Sequence, residues 1–243
     1  LERQFEAASA THARASLAFR LSECHRHRTH RPERALDFYR HVLDSKPSHP
    51  DTVDALETMY EEGDDPMPRI AALLEDVYTS QSRWPDLVGL LVRRAQLTDG
   101  TPSASEDLER AFDIVDETLD DDAWALDLAL RWMEQTPEET RARGEVERMG
   151  RRTGRWSRVV AVYTRVLNGP ALRDDATRAA LLTELGDVFE KRLEELDGAR
   201  DAYADALALQ PSHSVAAAAF ERILMRMGDA ESLADAWRER AQR

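Results

Sequence analysis

The chain carries an internal repeat. Residues 21–60 (the first copy) align with residues 185–224 (the second copy) without a gap, at an offset of 164 positions. The tripeptide Pro47-Ser48-His49 recurs in this alignment as Pro211-Ser212-His213. Such self-similarity predicts two units of the same local structure with equivalent units between them. The other identical pairs are Leu21/Leu185, Arg28/Arg192, Ala35/Ala199, Asp37/Asp201, Tyr39/Tyr203, Leu43/Leu207, Ala55/Ala219 and Glu57/Glu221.

Residues 182–211 show what one unit contains. They read as two amphipathic helices separated near Gly198, and the small residues Gly186 and Ala199 suit a close helix crossing. The pattern resembles the tetratricopeptide repeat, a helical hairpin of about 34 residues. Both copies have one residue more than that family's spacing, between Phe189 and Ala199 in the second copy. The matching positions are Leu182, Leu185, Gly186, Phe189, Ala199, Tyr203 and Pro211.

The resemblance implies an all-α fold, a right-handed α-solenoid of antiparallel helical hairpins. We expect a single array over 1–243, with the best-matched units at 17–62 and 181–228 and a degenerate middle at 99–150. Caps and prolines, Pro170 among them, predict helix boundaries. The predicted helices lie near 4–28, 33–45, 50–62, 67–80, 84–98, 105–119, 121–135, 138–152, 156–168, 172–194, 197–209, 213–227 and 230–242.

Composition narrows the function classes. The net charge of −14 argues against general nucleic-acid binding, and no apolar run reaches the length of about 20 residues that spans a bilayer. Cys24 is the only cysteine, so no internal disulfide can form. The chain begins without Met, which leads us to expect a fragment of a longer protein, and its start lacks the basic and apolar regions of a signal peptide. The resemblance is to bacterial tetratricopeptide arrays, and we expect a cytoplasmic location.

The resemblance implies a protein-binding scaffold, because the first helices of tetratricopeptide hairpins line a concave groove that holds peptides or partner helices. The polar face of the first helix in each copy is then expected to contact the partner. These positions are Phe19, Glu23, Arg26 and His27 in the first copy, and Thr183, Asp187, Glu190 and Lys191 in the second.

Charge is segregated along the middle of the chain. Residues 106–122 hold nine acids and one base, whereas residues 141–165 hold eight arginines and two glutamates. One interpretation is a basic patch for an acidic partner; the other is that these faces are solvated, or that successive units neutralise each other. The candidate patch residues are Arg148, Arg151, Arg152 and Arg155.

No motif predicts catalysis, a cofactor or a metal. Cys24, His27 and His30 have helical spacing, but neighbouring arginines disfavour a dication, and the second copy has Val188, Lys191 and Glu194 there. We therefore expect a non-catalytic scaffold. The alternative is a regulatory or substrate-recruiting segment of a larger enzyme or of a secretion or motility complex. The last helix, with Leu233, Ala236 and Trp237, is expected to support self-association.

Overall fold

A computed structural model describes residues 1–7, 11–63, 65–169, 172 and 174–241. Within these ranges the chain forms fourteen α-helices and two π-helical turns, with no strand, so the all-α prediction is confirmed. The helices are α1 Glu2–Ala7, α2 Thr11–His27, α3 Pro32–Ser45, α4 Pro50–Glu62, α5 Met67–Ser80, α6 Trp84–Leu97, α7 Pro102–Asp113, α8 Asp122–Gln135, α9 Thr140–Thr153, α10 Trp156–Asn168, α11 Asp175–Val188, α12 Leu196–Leu209, α13 Ser214–Met227 and α14 Ala230–Ala241; the π-helical turns are Ile114–Leu119 and Phe189–Leu193.

The chain divides into two compact units, Leu1–Asp120 and Asp121–Arg243. In each unit, helices that follow one another in the sequence pack together: α2 on α3 and α6 on α7 in the first unit, α8 on α9 and α11 on α12 in the second. This arrangement is that of an all-α helical-repeat fold. The handedness and the continuity of one array over the whole chain stay predictions.

Helix boundaries follow the signals in the sequence. Pro32, Pro50 and Pro102 are first helical residues, where a missing N–H costs nothing. The carboxylate of Asp121 accepts from the N–H of Trp124 at 3.0 Å and so caps α8. The predicted helix at 4–28 is two helices, with residues 8–10 outside the described ranges. Pro170 also lies outside them.

The close helix crossing predicted at Gly186 is confirmed. A Cβ atom built on Gly186 would lie 2.5 Å from the ring of Tyr203, so only glycine lets α11 approach α12 this closely. The rings of Tyr39 and Tyr203 are fully buried, as is Trp132 of α8. Trp124, about two turns before Trp132 on α8, is half-buried. The large side chains of the repeat positions thus form the core.

The second copy accommodates its additional residue in a π-helical turn. Phe189–Leu193 continue α11 with wider hydrogen-bonded rings. The N–H of Glu195 donates to the carbonyl of Phe189 at 2.9 Å, and Glu194 has a positive φ of 58°. The chain can therefore enter α12 one residue later than the tetratricopeptide spacing would place it.

The first copy ends its first helix in the same way. The N–H of Arg31 donates to the carbonyl of His25 at 2.9 Å, and His30 has a φ of 49°. These are the positions equivalent to Glu195, Phe189 and Glu194. The extra residue is therefore a shared structural feature. In the degenerate middle, the turn Ile114–Leu119 followed by Asp120 at φ 51° has a similar form.

The repeated Pro-Ser-His tripeptide is a turn that ends in a helix cap. Nδ1 of His49 accepts a hydrogen bond from the N–H of Thr52 at 3.3 Å at the start of α4. Nδ1 of His213 accepts from the N–H of Ala216 at 3.2 Å at the start of α13. An imidazole can accept at Nδ1 only when that nitrogen carries no proton. The histidine is thus conserved between the copies because it satisfies an N–H group that the helix leaves open.

Candidate functional site

The second unit contains a cleft between α9, α10 and α11, with a cavity of about 170 Å³. Its floor is apolar and aromatic, whereas its rim is charged. We call this the α9–α11 cleft. The floor residues are Val146, Trp156, Val159, Tyr163 and Val188. The rim and wall residues are Thr140, Arg143, Gly144, Glu147, Glu184, Asp187, Lys191 and Arg192.

Gly144 keeps one wall of the α9–α11 cleft open. It lies in the interior of α9, where glycine is less favourable than alanine by about 1 kcal/mol. A Cβ atom built on it would meet nothing within 4 Å, so packing does not require a glycine. Gly150 on the same helix differs, because its Cβ would lie 2.7 Å from the ring of Trp156. Packing against Trp156 thus requires a glycine at position 150, whereas Gly144 borders open space.

Trp156 joins the floor of the cleft to its charged rim. It is the first residue of α10, and its indole packs against the bare backbone of Gly150. The guanidinium carbon of Arg192, in the π-helical turn, lies 5.1 Å from the centre of the indole. This distance is typical of a cation–π contact. The π-helical turn thus positions a basic side chain at the edge of the cleft.

A half-buried carboxylate, Glu184, lies in the wall of the cleft between an arginine and a tyrosine. The carboxylate of Glu184 accepts from the guanidinium Nε of Arg143 at 3.0 Å and from the hydroxyl of Tyr163 at 3.0 Å. Burial raises the pKa of Glu184 and that of Tyr163. Arg143 also donates to the carbonyl of Pro137 at 2.7 Å. These hydrogen bonds hold α9, α10 and α11 together, and they leave few polar atoms of the three side chains free for a ligand.

The acids of the rim also have partners. The carboxylate of Asp187 accepts from the ammonium of Lys191 at 2.8 Å and from the hydroxyl of Tyr203 at 2.8 Å. Glu147 pairs with Arg151. Arg192, in contrast, makes no ion pair with any residue within the described ranges, and its guanidinium contacts the Trp156 ring. The site therefore offers an apolar floor beside one cation that lacks an oxygen partner.

The groove residues predicted for the second copy do not share one exposed face. Asp187 and Lys191 line the α9–α11 cleft, but Thr183 and Glu190 are buried. The hydroxyl of Thr183 donates to the carbonyl of Ala179 at 2.7 Å, which explains how a polar side chain tolerates burial. The expectation of an outward-facing Thr183 and Glu190 is thus corrected.

Glu190 forms hydrogen bonds and ion pairs with two neighbouring helices. Its carboxylate accepts from Arg222 at 2.9 and 2.6 Å, from Arg226 at 3.1 Å and from the hydroxyl of Tyr203 at 3.0 Å. The hydrogen bonds from Arg222 lower the pKa of Glu190 to about 2. These contacts join the π-helical turn to α12 and α13.

The groove residues predicted for the first copy are more accessible. Phe19 is half-buried beside the ring of His49, at 5.1 Å between centres. Glu23 accepts from the hydroxyl of Tyr39, and the exposed imidazole of His27 lies 3.4 Å from Glu23. Arg26 is half-buried, with its guanidinium 3.5 Å from the Glu62 carboxylate. Their use as partner contacts stays a prediction.

The arginine-rich stretch is largely paired with carboxylates of α8 and α9. This favours the interpretation that neighbouring helices neutralise each other, and partner binding by the patch stays a prediction. Arg155 is exposed and forms no ion pair with the part of the chain that the structure describes. The pairs are Arg148 with Glu145 at 2.5 Å, Arg151 with Glu147, Arg152 with Asp122, Arg158 with Asp127 at 2.8 Å, and Arg165 with Glu134 at 2.9 Å.

Sequence reasoning missed most of the cleft. Gly144, Trp156, Tyr163 and Arg192 were not among the predicted contacts. Two signals were present: a glycine inside the polar helix α9, and the identity of Arg28 and Arg192 across the repeat. Neither signal says which helices lie beside the glycine.

The last helix, α14, carries a half-buried Leu233 and an exposed Trp237, whose surface is 51% accessible. Self-association through this helix stays a prediction. No described helix is long and apolar enough to cross a membrane. Nor do three His, Cys, Asp or Glu side chains of the described residues lie where they could share a metal ion.

Fold and site together define a class: an all-α helical-repeat protein with an interhelical cleft. Comparisons with protein-family models and with curated proteins find no match.

Proposed function

We propose that the chain is a non-catalytic, protein-binding scaffold of the tetratricopeptide kind, and that the α9–α11 cleft receives a segment of the partner protein. The observation that carries this proposal is the open wall at Gly144 above an apolar floor. A helix-interior glycine without a packing role is unfavourable for folding, so the space that it leaves is the best explanation for it.

The composition of the cleft supports binding. Ligand sites are typically concave and mostly apolar, with a few polar groups that orient the ligand. A dry cavity of about 150 Å³ is large enough for a benzene molecule. The cavity here, of about 170 Å³, therefore fits one large aliphatic or aromatic side chain. Partner proteins commonly supply such a side chain as an anchor.

The hydrogen bonds of Glu184 also favour binding over catalysis. Glu184 and Tyr163 hydrogen-bond to each other, and Arg143 holds Glu184. The high pKa of Tyr163 keeps its hydroxyl protonated as the donor in this pair. These groups serve as a rigid wall for the cleft.

The test is to fill the cleft without harming the helix. Leucine is a better helix former than glycine, so Gly144→Leu should leave α9 as stable or more stable while it occupies the cavity. We expect quantitative pull-downs with the chain as bait to lose the specific partners of the unmodified protein. Gly89→Leu on α6 is the matched control, because Gly89 is also exposed, helical and free of contacts at its Cβ, and it lines a different cavity, of about 280 Å³, in the first unit. Equal capture by both variants would refute docking in this cleft.

A further inference from the structure

The charges around the α9–α11 cleft point to the chemistry of the docking segment. We infer that the cleft accepts a partner segment in which an apolar side chain stands next to an Asp or Glu: the apolar side chain enters the floor, and the carboxylate binds Arg192. This inference rests on the proposed function, and it specifies the segment that the cleft prefers.

The charged side chains of the cleft are paired with one another or with Arg151, except for Arg192, among the residues that the structure describes. Each carboxylate of the cleft already has a cation of the chain: Glu184 has Arg143, Asp187 has Lys191, and Glu147 has Arg151. A cationic side chain from a partner would have to displace one of these arginines or the lysine. An anionic side chain would displace nothing. The cleft therefore favours a negative charge, although the whole chain is acidic.

The contact of Arg192 with Trp156 is compatible with a carboxylate partner. A guanidinium carries five N–H donors, and a contact between its carbon and an aromatic ring leaves donors free for an oxygen partner. These N–H groups are the donors that a carboxylate can accept from in a paired, charge-assisted arrangement. Arg192 can thus keep its contact with Trp156 and bind a carboxylate at the same time.

Trp156 sets the spacing between the apolar subsite and the anion subsite. Trp156 both lines the cavity and lies under Arg192, so the apolar subsite and the anion subsite share one ring. Neighbouring residues have Cα atoms about 3.8 Å apart, and where the segment turns both side chains can reach one ring, whereas in an extended strand they point to opposite sides. The apolar side chain and the carboxylate therefore come from neighbouring residues at a turn of the partner segment.

The experiment uses synthetic peptides and the full chain, with binding measured by calorimetry. Three peptides, acetylated and amidated at their ends, differ only in a central pair: leucine–glutamate, leucine–glutamine or alanine–glutamate. We expect the leucine–glutamate peptide to bind about tenfold more tightly than either of the others, since each lacks one of the two contacts. Equal affinities for the glutamate and glutamine peptides would overturn the inference. So would the absence of binding at about 1 mM peptide.

Matched variants locate the contact. Arg192→Gln should remove the preference for glutamate while leaving the affinity for the glutamine peptide unchanged. Arg28→Gln, at the equivalent position of the first copy, should leave the preference intact. A preference that survives Arg192→Gln would overturn the assignment to this side chain. Thermal melts of both variants check that each is folded.

Two further arms separate the possible outcomes. A leucine–glutamine peptide with a free terminal carboxylate that binds more tightly than the amidated leucine–glutamate peptide would overturn the inference in favour of a chain end. If Gly144→Leu abolishes partner capture but the peptides show no carboxylate preference, the docking function stands and the inference fails. If the peptides show the preference but capture is unchanged, the docking function fails.

Discussion

The two copies of the repeat, in α2–α4 and α11–α13, share one hydrogen bond between helices but carry opposite charges at the position beside it. In both copies a buried tyrosine of the second helix donates to a carboxylate of the first helix: Tyr39 to Glu23, and Tyr203 to Asp187 at 2.8 Å. Three residues after that carboxylate, the first copy has Arg26, whereas the second has Glu190. The shared tyrosine sets the geometry, and the residue three positions after the carboxylate, Arg26 or Glu190, sets the sign of the charge.

The partner of this position is inverted as well. Arg26 lies 3.5 Å from Glu62 at the end of α4, and Glu190 lies 3.1 Å from Arg226 at the end of α13. The second copy adds Arg222, which makes two further hydrogen bonds to Glu190. If α4 and α13 exchanged places, Glu62 would face Glu190 and Arg226 would face Arg26. Like charges would oppose that exchange, so the inversion favours the correct pairing of helices.

The copies also distribute volume differently. Where the second copy has Gly186 beneath its tyrosine, the first has Ser22, whose hydroxyl donates to the carbonyl of Phe19 at 2.7 Å. Phe189 packs on Gly198, with a Cβ on that glycine 3.2 Å from the ring. The first copy has the smaller ring of His25 at the position of Phe189. A repeat thus keeps its backbone while its side chains compensate for one another.

The largest expected effect comes from reversing the buried charge. Glu190→Arg places a third cation against Arg222 and Arg226 and should lower the free energy of unfolding by about 3 kcal/mol. Adding Arg226→Glu and Arg222→Thr reproduces the residues of the first copy at 62 and 58 and should restore most of this loss. Urea unfolding followed by circular dichroism measures both.

The control is the mirror change in the first copy. Arg26→Glu should cost less than Glu190→Arg, because Arg26 has one carboxylate partner at 3.5 Å and a backbone contact at 3.4 Å, whereas Glu190 accepts from Arg222, Arg226 and Tyr203. A loss as large as that of Glu190→Arg would contradict the contrast between a single long pair and a carboxylate with three donors.

Acid should weaken the second copy through the same carboxylate. The pKa of Glu190 falls from its ordinary value of 4.5 to about 2, chiefly because Arg222 donates to it. A depressed pKa contributes stability above the unfolded value, and that contribution is lost as the pH falls from about 4.5 to about 2. The difference in unfolding free energy between the unmodified protein and Glu190→Gln should therefore shrink over this range. A difference independent of pH would contradict the ion pairs as its source.

The next effect separates the two helix crossings. Gly186→Ala puts a methyl group 2.5 Å from the ring of the fully buried Tyr203, and overpacking of this kind costs about 2 kcal/mol. Ser22→Ala removes one hydrogen bond and adds no atom, so its cost should be about 1 kcal/mol or less. Thermal denaturation of the two variants compares them. Similar melting temperatures would show that α11 can move away from α12 at little cost.

These contrasts show which features could be read from the sequence. Prolines and caps predicted the helices because each acts within one turn of the chain. The spacing of the repeat revealed the extra residue, but its π-helical form depends on backbone hydrogen bonds that the sequence does not show. The π-helical turn in the middle of the chain ends in Leu-Asp-Asp at 119–121, which is similar to Leu-Glu-Glu at 193–195. Glu190 looked exposed because its partners lie more than thirty positions away, on α13. The cleft was hidden for the same reason.

The smallest expected effect tests what the copies share most closely. His49→Ala and His213→Ala each remove the acceptor for one N–H group at the start of a helix, and the loss of such a cap costs about 1 kcal/mol. Asparagine, a strong capping residue, should retain most of the stability at either site. Because both histidines make the same bond, the two alanine variants should lose similar amounts in urea unfolding, and the double variant should lose their sum, since the caps lie in separate units. Unequal losses would show that the contact of His49 with Phe19, which the second copy lacks, contributes beyond the cap.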